Sequence, residues 1–169
     1  MPHRTNDSQR LGQAGSAPLD VVGRLAAGLD PTRSVAYKRI AGSELLLHLF
    51  HPPDWAAADR RPCFLAIHGG GWTGMSPRRM YPFTAHFARL GMLGVSVQYR
   101  LADPADGATV FDCVQDARSA MRHVRGHARE LGVDPGRIVA FGGSAGGHLA
   151  AATAMFDDVD DPADDAGIS

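Results

Sequence analysis

Near the end of the chain, Gly142-Gly143-Ser144-Ala145-Gly146 fits the pattern G-x-S-x-G. A serine hydroxyl is a weak nucleophile on its own, so its use in acyl transfer depends on where the backbone holds it. When this pattern joins a strand to a helix, the serine occupies a sharp, strained turn known as a nucleophile elbow. Neighbours with almost no side chain are then required, and here they are Gly, Gly, Ala and Gly. The hydroxyl would stand above the strand end, with the next backbone N–H facing the reacting oxygen. Taken alone, Ser144 could equally be a helix cap, since serine caps helices well.

A second glycine motif, His68-Gly69-Gly70-Gly71-Trp72, lies 76 positions upstream, counted from His68 to Ser144. Acyl transfer develops negative charge on a carbonyl oxygen. Backbone N–H groups held by a glycine loop stabilise it, each to the extent of about 3 kcal/mol in the barrier. An HGGG-type loop is the partner of the elbow in esterases and lipases. Gly69, Gly71 and Gly74 also satisfy G-x-G-x-x-G, a dinucleotide fingerprint. That fingerprint needs a helix starting inside the glycines and an acidic residue after the next strand. Gln98 and Tyr99 stand there instead, which disfavours it.

Each motif must end a buried strand. Cys63-Phe64-Leu65-Ala66-Ile67 is apolar without polar alternation, as is Met92 to Val97, and Arg137 to Phe141 leads into the elbow. Ser34 to Ile40 and Glu44 to Phe50 read as a hairpin joined at Ala41-Gly42-Ser43. Helices are expected over Pro77–Leu90, Val110–Leu131 and Gly147–Met155, with a turn at Val133-Asp134-Pro135-Gly136 and a short helix within Leu19–Leu29. This order predicts an α/β fold with a mostly parallel sheet and an N-terminal antiparallel hairpin. Both motifs would open at the carboxyl edge of the sheet, where ligands bind in such folds. Residues 1–33 are expected to form an N-terminal segment, disordered over residues 1–17. Residues 34–169 form the domain.

At 169 residues, one domain buries roughly 70% of its unfolded surface. The net charge is −1, yet six aspartates fall in the last thirteen residues, leaving +5 for the rest. That tail is expected to be a solvated loop, and it lacks the Gly and Glu positions of a calcium loop. Basic residues are scattered, which argues against a nucleic-acid partner. No apolar run reaches membrane-spanning or signal-peptide length, so a soluble, cytoplasmic chain is expected. Cys63 and Cys113 read as small core residues in a reducing compartment. His123 and His127 are four apart, as in some zinc sites, but lack an evident third ligand and read as surface residues. His148 tempts as a base for Ser144, but its helix carries it away from the hydroxyl, which favours a packing or supporting role. Asp116 and Arg100 are a candidate structural pair behind the glycine loop. No metal or cofactor is implied.

With both motifs placed, the chain resembles the α/β-hydrolase fold, in the branch of esterases with an HGGGW loop that includes acetyl esterases and relatives of hormone-sensitive lipase. The resemblance rests on His68–Trp72, Ser96–Leu101, Leu131–Pro135 and Gly142–Ala150, and covers about Ser34 to Met155. It implies Ser144 as nucleophile and Gly70, Gly71 and Ala145 as oxyanion donors, acting on a small-molecule ester through an acyl-serine. Gly143 replaces the Asp usual in lipase-like members, and Ala102-Asp103-Pro104 replaces Ala-Pro-Glu. Both departures lean toward short-acyl, acetyl- or feruloyl-type esters. Triad order in this fold is Ser, then Asp or Glu, then His. Only 25 residues follow Ser144, so the chain is expected to be the N-terminal portion of an esterase, lacking the C-terminal part of the fold with the triad Asp and His, and to be inactive or weakly active alone. The Ser144 strand would then be an open edge, leaving the chain poorly soluble or partly folded. The alternatives are a non-catalytic truncated or pseudoenzyme domain and an amide or peptide hydrolase of the same fold.

Overall fold

A computed structural model describes residues 20–156, 158–162 and 164. The disorder expected over residues 1–17 lies outside the described residues. The core of the fold is a five-stranded sheet. In chain order its strands are β1 (Arg33–Ile40), β2 (Ser43–Phe50), β3 (Arg61–Ile67), β4 (Leu93–Val97) and β5 (Val133–Gly142). Their order across the sheet is β1-β2-β4-β3-β5. β1 and β2 pair antiparallel and β2 meets β4 antiparallel, while β3 runs parallel to both β4 and β5. A mostly parallel sheet opened by an antiparallel hairpin is therefore formed as expected. The hairpin turns on Ala41 and Gly42, at φ 47° and 84°, the pair of positive angles that suits the twist of two joined strands.

The helices are α1 (Val21–Ala26), α2 (Tyr81–Arg89), α3 (Val110–Gly126) and α4 (Ala145–Met155). The central strands lie between them, and so β3 is apolar from Cys63 onward and β4 is apolar but for a buried Ser96. Leu65, Ile67, Leu93, Val95 and Val97 are fully buried against Ala117, Ala120 and Val124 of α3 and Leu149 of α4. Both cysteines are free and buried, Cys63 in β3 and Cys113 in α3. Asp20 caps α1 and accepts from Arg79, and Arg78 donates to the carbonyls of Ala26 and Leu29. The short N-terminal helix therefore packs on the domain, with Ala26 beside Phe50, Tyr81 and Ala85.

Three boundaries differ from expectation. Pro82 lacks an N–H, so the α-helix starts around it and Pro77–Met80 winds as a 3₁₀ turn instead. α3 stops at Gly126, not Leu131, because the chain turns to bury Leu131 and lead Val133 back to the sheet. Val133 donates to the Ala128 carbonyl there, and Gly132 adopts φ 65°. The expected turn at Val133–Gly136 is a bulge inside β5: Arg61 faces Val133, but Cys63 faces Ile138.

Three described aspartates of the acidic tail, Asp160, Asp161 and Asp164, are held by the fold instead of lying in a solvated loop, while Asp158 is exposed. Asp160 pairs with Arg118 and, at 2.7 Å, with Arg122. Asp161 pairs with Lys38 at 2.6 Å, and Asp164 accepts from Ser119 at 2.6 Å. Arg118, Arg122 and Lys38 put positive charge on this face of the fold, and the aspartates neutralise it. Among the described residues, no helix is long and apolar enough to cross a membrane.

Candidate active site

β5 ends at Gly142 and α4 begins at Ala145, so Ser144 lies in the two-residue connection between them. Its backbone stands at φ 54°, ψ −126°. An L-residue is strained there, and the crossing of strand into helix enforces it. Carbonyls of Gly143 and Ser144 accept from Gly146, Gly147 and His148, which closes the first turn of α4 immediately after the serine. The side chain of Ser144 does not cap that helix. It is exposed, so the helix-cap role is excluded and the hydroxyl is presented outward.

The glycines around the elbow are there because backbones approach one another. A Cβ at Gly146 would lie 2.7 Å from the His68 carbonyl oxygen and closer still to that of Ile67. A Cβ at Gly69 would lie 2.7 Å from the Gly143 carbonyl and 3.5 Å from Ser144 Cβ. The loop that ends β3 is therefore in van der Waals contact with the elbow that ends β5. Parallel pairing of the two strands, with Ile67 opposite Gly142, brings their ends together.

The glycine loop does not begin a helix. Gly70, Gly71, Trp72 and Met75 have φ of 113°, 61°, 64° and 68°, and Gly74 donates back to the Gly70 carbonyl at 3.1 Å. This succession of positive angles is incompatible with the dinucleotide reading, in which a helix opens inside the glycines. His68 is buried, and burial pulls its imidazole below the ordinary histidine range. Its Nδ1–H donates to the Gly69 carbonyl at 2.8 Å. In a planar trans peptide the N–H points opposite the carbonyl. Fixing the Gly69 carbonyl thus turns the Gly70 N–H the other way.

Tyr99 stacks on the His68 ring at 4.4 Å between centroids and donates from Oη to the His68 carbonyl at 2.9 Å. Tyr99, two residues past the end of β4, carries no local signal of this role. Asp116 and Arg100 form the expected pair: Arg100 Nε and Nη2 each reach an Asp116 carboxylate oxygen at 2.8 Å. Lys38 joins them at 3.0 Å, which no local pattern signalled. His148 makes an edge contact with the Trp72 ring at 5.4 Å, a packing role as expected. His123 of α3 and His127, just past its end, stack at 4.0 Å; His127 is exposed as expected, but His123 is half-buried and so is not a surface residue.

A strained serine between strand and helix, beside a glycine loop from the neighbouring parallel strand, defines the α/β-hydrolase class. The chain belongs to the BD-FAE family, a hormone-sensitive-lipase-like α/β-hydrolase family whose model matches residues 47–166. It is similar to the apo form of Thermogutta terrifontis esterase 2, with 46% identity and a TM-score of 0.77 over 81% of this chain and 51% of that one. It is 36% identical to esterase LipQ of Mycobacterium tuberculosis over 72% of this chain and 28% of that protein. It is also 39% identical to the non-reducing polyketide synthase pkbA of Emericella nidulans, over 72% of this chain and 5% of that much longer protein. The chain thus spans about half the length of the solved esterase and less of the curated relatives.

Proposed function

We propose that this chain carries the nucleophile and oxyanion portion of a serine carboxylesterase for short-acyl, acetyl-type esters. Ser144 Oγ attacks the ester carbonyl carbon, and the carbonyl electron pair moves onto oxygen. The backbone N–H groups of Gly70, Gly71 and Ala145 hold that oxyanion. Its collapse expels the alcohol and leaves an acyl-serine, from which water releases the carboxylic acid and regenerates Ser144. The hydroxyl proton passes to a general base and then to the leaving alkoxide. His148 is turned to Trp72 and His68 to Gly69, so neither is assigned as that base.

The observation that carries this reading is Ser144 at φ 54°, ψ −126°, with Gly69 against it. The short-acyl assignment is supported by Thermogutta terrifontis esterase 2, which has been solved with propionate and with butyrate bound and is 45–46% identical to this chain. The test is hydrolysis of p-nitrophenyl acetate and covalent labelling by a fluorophosphonate, each beside a Ser144→Ala control. A slow rate, but one above that control, and a slowly formed adduct on the Ser144 peptide are expected, as the oxyanion donors alone leave a residual rate over water. Equal rates and no adduct would reject the catalytic reading in favour of a non-catalytic domain. Faster anilide than ester hydrolysis would move the assignment to an amide hydrolase.

A further inference from the structure

The four residues Tyr99-Arg100-Leu101-Ala102, just beyond β4, touch the glycine loop at both of its ends. At one end Tyr99 Oη donates to the His68 carbonyl at 2.9 Å. At the other the Ala102 N–H donates to the Trp72 carbonyl at 2.8 Å. Between these contacts lie Gly69, Gly70 and Gly71, which have no side chains with which to fix themselves. Two of them and Trp72 also stand at positive φ, where the backbone has little intrinsic reason to stay. The two ends of the loop are therefore held from outside, by a segment that is itself irregular, while its middle is closed by the Gly74 N–H on the Gly70 carbonyl.

That segment is held from α3. Asp116 is fully buried. Its Oδ2 accepts the Arg100 backbone N–H at 3.0 Å and Nε at 2.8 Å, and its Oδ1 accepts Nη2 at 2.8 Å. Lys38 from β1 contacts the same Oδ1 at 3.0 Å, and Asp112 contacts Arg100 Nη1 at 3.1 Å. Cys113 Sγ–H donates to the Arg100 carbonyl at 3.1 Å. A carboxylate that binds both the backbone and the guanidinium of one residue sets its position and its direction together. Burial makes that setting stiff, because releasing Arg100 would leave the buried carboxylate with Lys38 as its remaining cation partner.

We propose that Asp116 is a positioning residue for the oxyanion loop: through Arg100 it holds the Tyr99–Ala102 segment, which clamps the His68–Trp72 loop at both ends. The proposal rests on the esterase reading for its catalytic meaning, but its geometry is independent of turnover. Asp116 touches no substrate and acts only through Arg100.

The test uses the whole chain in a Trp55→Phe background, which leaves Trp72 as the single tryptophan. Asp116→Asn keeps the shape of the side chain and removes its charge. The amides of Thr73 and Gly74, which donate to the Gly70 carbonyl, and of Ala102, which donates to Trp72, are expected to exchange about tenfold faster, while β3 and β4 keep their protection, as befits a local opening. Trp72 emission should shift and become more accessible to acrylamide. Arg100→Lys keeps the charge and loses the two-pronged contact, so it should show the same pattern to a smaller degree. It also carries the test if Asp116→Asn does not fold. Fluorophosphonate labelling of Ser144 should slow about tenfold, with the concentration for half-maximal rate little changed. Uniform loss of protection across β3, β4 and α3, or unchanged loop amides in the folded variants, overturns the proposal. A loosened loop in a chain whose Ser144 never labels rejects the esterase reading and upholds the positioning role.

Discussion

Replacing Ser144 with glycine should stabilise the fold while removing its nucleophile. At φ 54°, ψ −126° the serine occupies a backbone region whose strain is about 1–3 kcal/mol. Glycine adopts that region freely, but it also gives the unfolded chain more freedom, which offsets about 0.5–1 kcal/mol. Little contact is lost, because the side chain is exposed and does not cap α4. The net expectation is a gain of about 0.5–2 kcal/mol. Ser144→Ala removes the same hydroxyl and keeps the Cβ, hence the strain. It should lie within about 0.5 kcal/mol of the parent chain. The measurement is urea unfolding followed by tryptophan fluorescence, at sub-micromolar chain to limit association. With a slope of about 2 kcal/mol/M, the glycine variant should unfold at a midpoint about 0.25–1 M higher, and its slope should match the others. If Ser144→Gly is no more stable than Ser144→Ala, the elbow stores no strain and the account of its glycines fails.

Gly146→Ala should act in the opposite direction, since its Cβ would fall 2.7 Å from the His68 carbonyl oxygen and closer to that of Ile67. A loss of about 2–4 kcal/mol in urea unfolding is expected, together with loss of Ser144 labelling. Val139 and Phe141 are 53% and 38% exposed on β5, the last strand of the sheet, and an open apolar edge invites pairing with other chains. Val139→Lys should therefore lower light scattering at high concentration, with the onset moved up about tenfold, and no change would show that association lies elsewhere. Burial and then the neighbouring His127 lower the His123 imidazole to about 4. The fold disfavours its charged form, so this contribution is present above the ordinary value of 6.5 and is lost as pH falls toward 4. With partial exposure the loss is about 1–2 kcal/mol, and His123→Gln should flatten the stability profile over that range.

The reactive positions were legible because they are local. A nucleophile elbow and a glycine loop each need small residues at fixed neighbouring positions, and Gly142–Gly146 and His68–Trp72 carry them in consecutive order. The strands were legible because a strand covered on both faces is apolar throughout, as Cys63 to Ile67 is. Helix ends were read less well. Pro82 and Gly126 were each a visible signal, outweighed by an apolar periodicity that ran past them.

The tail shows a different limit. Its aspartates look solvent-seeking when read as a run, and Arg118 and Arg122 are simply two cations one helical turn apart. Only the return of the chain over α3 makes them partners. The same holds for the groups that shape the site. Lys38, Asp116 and Arg100 come from β1, α3 and the segment beyond β4, and their attraction acts through space at a few ångströms. By itself the sequence determined the strands, the elbow with Ser144 and the glycine loop, because glycine tolerance and apolar periodicity are properties of neighbouring residues. Tertiary structure alone decided that Gly69 would press on the elbow, that Tyr99 and Ala102 would clamp the loop, and that a buried Asp116 would hold them. Those contacts depend on how parallel strands and a covering helix bring distant residues together, which no local pattern encodes.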